Sequence, residues 1–112
     1  MTPPIHVTEA ESEVLAALWR SGPLTPTRLV EAVKARRDWA DATIKTLLGR
    51  LMQKKAVRSR RDDGRLTYEP LVTLDAYVAA EARRLADRIF DGDPARLAEF
   101  LIERFGASDR GP

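Results

Sequence analysis

The sequence predicts a mainly α-helical chain that carries one small β-hairpin. Apolar residues recur at steps of three and four in five separate stretches, the period of helices with one buried face. Capping residues open those stretches and Gly or Pro closes several of them. A single alternating run surrounds an Asp63-Gly64 pair, the pattern of two strands joined by a tight turn. A chain of 112 residues suits one domain, or a small domain with an appendage.

Thr8 and Glu11 have capping-box spacing ahead of Val14, Leu15, Leu18 and Trp19, so a first helix should run from Glu9 to about Arg20. Gly22 and Pro23 break it. Thr25 reads as the next N-cap, with Pro26 at the first helical position and Leu24 placed to staple onto Leu29. That second helix should reach about Ala35 and bury Leu29, Val30 and Val33. Asp41 is placed to cap a third helix, Ala42 to about Lys55. The run from Val57 to Pro70 is the hairpin, with Leu66 and Tyr68 on one face and Pro70 ending the second strand. A long amphipathic helix is then expected to carry Leu74, Tyr77, Val78, Leu85, Ile89 and Phe90 as its apolar stripe. Asp93 and Pro94 can start a last helix striped by Leu97, Leu101 and Phe105, flanked by Phe100 and Ile102. The expected division is residues 1–71 and residues 72–112.

Apolar residues make up 44% of the chain and charged residues 32%, enough to build a core. With no cysteine, the chain has no disulfide framework, thiolate nucleophile or Cys-based metal site, and the cytosol is the expected compartment. The N-terminal stretch lacks a basic start followed by an apolar run, and no stretch approaches the roughly 20 apolar residues of a membrane span. Neither secretion nor a membrane partner is expected. The net charge of +2 hides a local concentration, because Arg50 to Pro70 holds seven basic residues against three acidic ones. Such a patch points to a polyanionic partner.

On the third helix, an advance of about 100° per residue stacks Ile44, Leu47, Leu48 and Leu51 on a core stripe. The opposite side holds Ala42, Thr46, Gly49 and Gln53, flanked by Thr43, Lys45 and Arg50. Solvated helix faces usually pair Glu with Lys at spacing four, whereas this one has no acidic residue after Asp41. Gly49 costs the helix about 1 kcal/mol relative to alanine, an expense with a use if something must approach closely. A DNA groove is such a thing: Thr can bond a base edge or touch a thymine methyl, and Lys and Arg reach guanine edges or phosphates. A plain solvated helix with an incidental glycine is the bland alternative.

Three helices followed by a basic hairpin is the order of a winged helix-turn-helix, in which the third helix enters the major groove and the wing lies along the backbone. Arg58, Arg60, Arg61 and Arg65 would sit on that wing; otherwise they form a charged edge that discourages strand aggregation. Thr25 and Thr27 could meet a phosphate at the start of the second helix, although capping alone explains Thr25. Trp19, Trp39 and Tyr68 read as core or core-edge aromatics. Catalysis finds no support: His6 is the only histidine, the carboxylates lack metal-ligand spacing, and there is no Gly-rich phosphate loop. No cofactor or metal is expected. The competing reading is a winged-helix protein-interaction module without sequence-specific DNA binding, since fold does not fix function. RNA binding is weaker, for want of exposed aromatic pairs on the wing.

The stretches TEAESEVLAALW, ADATIKTLLGRLMQKKAV and GRLTYEP, in this order and spacing, resemble the penicillinase-repressor family of BlaI, MecI and CopY-type regulators. The resemblance covers Val7 to Pro70 well and the rest loosely. It implies a bacterial repressor with a winged-helix DNA-binding domain and a helical dimerisation region, binding palindromic operators as a homodimer. Carried over by position, Ala42 to Lys54 would be the recognition helix, with Thr43, Lys45, Thr46 and Arg50 its foremost contacts. Leu74 to Phe90 and the helix after Pro94 would form the dimer. An inducer or a protease is implied as a further partner. Members inactivated by proteolysis are cut at an Asn-Phe bond where this chain has Glu99 before Phe100, and the copper-responsive branch has C-terminal cysteines that this chain lacks. The family often has Gly where Ala56 follows Lys55, so the third helix should close differently.

Overall fold

The Thr8 hydroxyl accepts from the Glu11 N–H at 3.1 Å while the Thr8 N–H donates to Glu11 Oε1 at 3.0 Å. This closed capping box starts α1 (Glu9–Ser21) in the computed structural model, which describes residues 5–106. Two of the helix's orphan N-terminal donors are thereby satisfied. Gly22, at φ 81°, ends α1 with its N–H on the Leu18 carbonyl. Thr25 caps α2 (Pro26–Lys34) through its hydroxyl, and Pro26 takes the first turn. The third helix, α3, spans Asp41–Gln53.

Two local expectations need correction at α3. Asp41 is its first residue, not its cap; the cap position is Ala40, which makes no side-chain cap bond. The Asp41 carboxylate is drawn instead to Lys34 Nζ at the end of α2, and that hydrogen bond, with the lysine charge, holds its pKa below the usual carboxylate range. At the other end the left-handed residue is Lys55, at φ 65°. Ala56 N–H reaches the Leu51 carbonyl at 2.8 Å and Lys55 N–H the Met52 carbonyl at 3.0 Å, a Schellman closure that most helices make with glycine.

The strands β1 (Val57–Asp62) and β2 (Arg65–Pro70) pair antiparallel from Val57↔Pro70 to Asp62↔Arg65. Asp63 and Gly64 turn between them at φ 55° and 76°, the pair of positive values a two-residue hairpin loop demands. An element the sequence reading lacked is a bridge from Leu24 to Tyr68, with reciprocal backbone bonds of 3.2 and 2.8 Å. It ties the α1–α2 loop to β2, which gains a partner on both edges.

Val14, Leu15 and Leu18 of α1, Leu29 and Val33 of α2, and Ile44, Leu47, Leu48 and Leu51 of α3 meet in one core, closed by Val7, Ala56 and Val57. The Trp19 indole N–H donates to the Val72 carbonyl at 2.9 Å, which anchors the segment after the hairpin to α1. Glu11 is the one charged side chain buried among the described residues. Its Oε1 also accepts from Lys54 Nζ at 2.6 Å, and the same ammonium donates to the His6 carbonyl at 2.9 Å.

The chain divides between Leu74 and Asp75 into two units. In the second, α4 (Leu74–Ile89) and α5 (Pro94–Phe105) are joined by a turn with Asp91 and Gly92 at φ 54° and 78°. Asp93 caps α5 through the Ala95 N–H at 3.0 Å. Ala86 and Leu97 are buried, and the Phe90 and Phe100 rings lie 6.1 Å apart. Among the described residues no helix is long and apolar enough to cross a membrane.

Burial pushes the Glu11 carboxyl up, but hydrogen bonds from Lys54 and Thr8 and the Lys54 charge outweigh it, leaving its pKa below the ordinary 4.5. Its contribution to stability is therefore complete above 4.5 and is lost as pH falls through the lowered folded-state value. Urea unfolding at a series of pH values should show this acid limb in the natural chain and a flattened limb in Glu11→Gln. Lys54→Met at neutral pH should cost about 2–3 kcal/mol, because it strands a buried carboxylate. Lys55→Gly should add about 1 kcal/mol in the same assay by relieving the left-handed lysine.

Candidate nucleic-acid interface

The core stripe of α3 turns its other side outward. Ala42, Thr43, Lys45, Thr46, Gly49, Arg50 and Gln53 are all exposed, while Ile44 and Leu51 are fully covered. Ala42, Thr43, Thr46 and Arg50 line one shallow depression with the edge of Leu47. Lys45 and Gly49 line a neighbouring apolar hollow between α2, α3 and Tyr68, with Pro26, Val30 and Met52 among its other walls. The face thus has a polar hydroxyl and guanidinium side and a Lys45 side, divided by the low ridge at Gly49. A Cβ built on Gly49 meets nothing within 4 Å. Among the described residues nothing requires a glycine there.

At the start of α2, the Thr25 hydroxyl accepts from the Arg28 N–H at 3.4 Å, so its oxygen serves the cap. Thr27 is exposed and lines an open groove that also includes Lys34, Asp41 and Lys45. The first turn of α2 and the first half of α3 therefore border the same surface.

The hairpin register splits the four wing arginines. Arg58, Arg60 and Arg65 share one face with Asp62, Thr67 and Glu69; Arg61 lies on the other, with Ser59, Leu66 and Tyr68. Arg58 Nε is hydrogen-bonded to Glu69 Oε2, and Arg60 Nη1 stands 3.6 Å from Glu69 Oε1. The Arg61 guanidinium folds onto the Gly64 carbonyl at 3.1 Å. All four arginines remain exposed. Lys54, counted from the sequence as part of the basic patch, is engaged by Glu11 and His6. The positive surface is consequently narrower by that lysine than the sequence suggests: Lys45 and Arg50 on the helix, Lys55 just after it, four arginines on the hairpin.

Among the described residues, no group of three or more His, Cys, Asp or Glu is arranged to hold a metal ion. The family model described as "Penicillinase repressor" matches residues 7–110. The chain belongs to the penicillinase-repressor family. That is a family of DNA-binding transcriptional regulators, not of enzymes. The match includes α4 and α5 as well as the winged unit, so the second unit is part of the family pattern.

Among relatives of this repressor-family chain, the transcriptional regulator BlaI of Mycobacterium tuberculosis is 35% identical over 103 residues, 90% of this chain and 75% of the relative. The penicillinase repressor of Bacillus licheniformis is 22% identical over 87 residues, 78% and 68% of the two chains. The chain spans 46% of the length of a 16.5 kDa Latilactobacillus sakei protein to which it is 35% identical over 67 residues. The solution structure of the DNA-binding domain of the repressor BlaI aligns with a TM-score of 0.59 at 23% identity, covering 69% of this chain and 94% of that one. Monomeric Bacillus licheniformis BlaI, solved in complex with the blaP half-operator, gives 0.60 at the same identity and coverage. These likenesses establish the winged-helix fold.

Two features of the surface escaped the sequence reading. Glu69 was legible only as one of three acids in a basic stretch, and its pairing with two arginines follows from register. Met52, 37% exposed, adds an apolar edge to the Lys45 side of α3. Since Gly49 sits in open space at a helical position, Gly49→Ala should raise the stability of the isolated protein by about 1 kcal/mol, read by urea denaturation.

Proposed function

We propose that this chain is a transcriptional repressor that binds palindromic operator DNA as a homodimer, with α3 in the major groove and the hairpin on the phosphate backbone. One observation carries the reading: the outward side of α3 is free of carboxylates beyond Asp41, and Gly49 leaves open space that no described residue fills. In this reading Thr43, Lys45, Thr46, Arg50 and Gln53 meet base edges, and Ala42 and Gly49 allow the helix to seat closely. Arg58, Arg60, Arg61 and Arg65, with Thr25 and Thr27 at the start of α2, engage phosphates. The half-operator complex of the Bacillus licheniformis relative supports the choice of partner.

Dimerisation is assigned to α4 and α5. In one chain Leu74, Val78, Leu85, Ile89, Phe100 and Leu101 are exposed, with Val78 at 54% and Ile89 at 58%, and Tyr77 and Phe90 are half-buried beside them. Leu97 is already covered within the chain, so of the residues expected at the dimer contact it contributes least. Runs of exposed large apolar side chains mark association surfaces. Joining two half-sites makes the second binding event intramolecular, and two recognition helices would stand about 34 Å apart. The cytoplasm is the compartment in which such a repressor acts. An inducer or protease that lifts repression belongs to the same reading; the Glu99–Phe100 bond lies within α5.

Selection of bound fragments from random DNA should recover a palindrome with half-sites about one helical turn apart; recovery of no enriched site would favour a protein-interaction module. On the recovered duplex, Arg50→Ala should lose about 1–3 kcal/mol of discrimination against random DNA. Arg60→Ala should weaken both duplexes alike and reduce the salt slope by about 1. Fluorescence anisotropy at several salt concentrations reads both effects.

A further inference from the structure

The Glu69 side chain is 15% exposed, and the groups paired with it are Arg58 and Arg60, which themselves remain 55% and 57% exposed. A carboxylate in the middle of a phosphate-binding surface should weaken that surface by simple charge. Its geometry argues for the opposite outcome. Arg58 lies directly across the strand pair from Glu69 and binds Oε2 through Nε, leaving its terminal nitrogens to solvent. Arg60 lies one pleat further along the same face and meets Oε1 through a single nitrogen at 3.6 Å, an ion pair rather than a hydrogen bond. A guanidinium carries five N–H donors, so both arginines keep most of theirs for a second anion. Thr67, opposite Arg60, donates its hydroxyl to the Arg60 carbonyl at 3.4 Å, so the backbone at the centre of this face is bonded across as well.

We infer that Glu69 is a positioning residue for DNA binding: it holds the Arg58 and Arg60 guanidinium groups side by side on one face of the hairpin, ready for adjacent phosphate oxygens. This rests on the repressor reading above. Long cationic side chains lose rotamer freedom when they grip a phosphate. A carboxylate that has already restricted both reduces that loss at the moment of binding. The benefit exceeds the repulsion because the Glu69 charge is already paired with both guanidinium groups.

The opposing effects differ in sign, which makes Glu69→Gln decisive. Charge alone predicts that the variant, one unit more positive, binds DNA more tightly and with a salt slope steeper by about 0.9. Positioning predicts about three- to tenfold weaker binding, with no steepening, on both the selected palindrome and a random duplex of equal length. The full chain is measured by fluorescence anisotropy against both labelled duplexes, with thermal melts to show that the fold is unchanged. In an Arg58→Ala, Arg60→Ala background the Glu69→Gln loss should vanish; persistence of the same loss would place the effect in the hairpin's structure and overturn the inference. Glu69→Thr, which favours strand but lacks the carboxylate, carries the same test if the glutamine variant fails to fold. Tighter binding by either variant overturns the role of Glu69 and leaves the repressor reading standing. A natural chain that binds neither duplex overturns both.

Discussion

A single carboxylate, that of Glu11, joins the three segments on which the winged unit depends. It receives the Thr8 N–H at the start of α1 and the Lys54 ammonium at the end of α3, and Lys54 in turn holds the His6 carbonyl. Desolvating such a pair consumes most of its Coulombic gain, so its worth lies less in net stability than in the arrangement it selects. Lys54, at the cap of α3, ties the end of that helix to a buried partner, and the orientation that buries Ile44 and Leu51 turns Thr46, Gly49 and Arg50 outward.

Electrostatics on the outer surface follow a similar economy. A chain with net charge +2 does not attract a polyanion by total charge. What counts is how the carboxylates near the basic surface are placed: Asp41 is paired with Lys34 and Glu69 with Arg58 and Arg60, while Asp62 and Asp63 stand exposed at the hairpin turn. The hairpin arginines are partly neutralised and partly ordered by their neighbours, Arg61 by a turn carbonyl and two others by one glutamate. In the repressor reading proposed above, such a surface would orient the protein on the duplex and leave discrimination to the shorter side chains of α3.

Local rules made most of the fold legible. The Thr8 and Glu11 box, the Thr25 cap with Pro26, the Asp63-Gly64 turn and the Asp93-Pro94 start each depend on neighbours within a few residues, and each is present. The exposed face of α3 was legible for the same reason, since helical periodicity alone separates it from the core stripe. What the sequence hid involved distant partners or competing neighbours. Lys54 and Glu11 are 43 residues apart, and Trp19 and Val72 are 53 apart; nothing in either local pattern announces them. Asp41 had the right chemistry for a cap, but it is the first helical residue and its carboxylate is hydrogen-bonded to Lys34. The left-handed Lys55 was hidden because a lysine is not the residue that such a position ordinarily selects. The partition of the wing arginines required the strand register, which a run of charged residues does not specify by itself.

Whether the outward side of α3 is the surface that meets DNA is most directly read from backbone amide shifts of the isotope-labelled protein titrated with its selected duplex. The largest changes, together with protein-to-base contacts in nuclear Overhauser spectra, should fall on Thr43, Thr46, Gly49 and Arg50, with smaller ones along β1 and β2. Changes confined to the hairpin, or to α4 and α5 with α3 silent, would contradict the assignment.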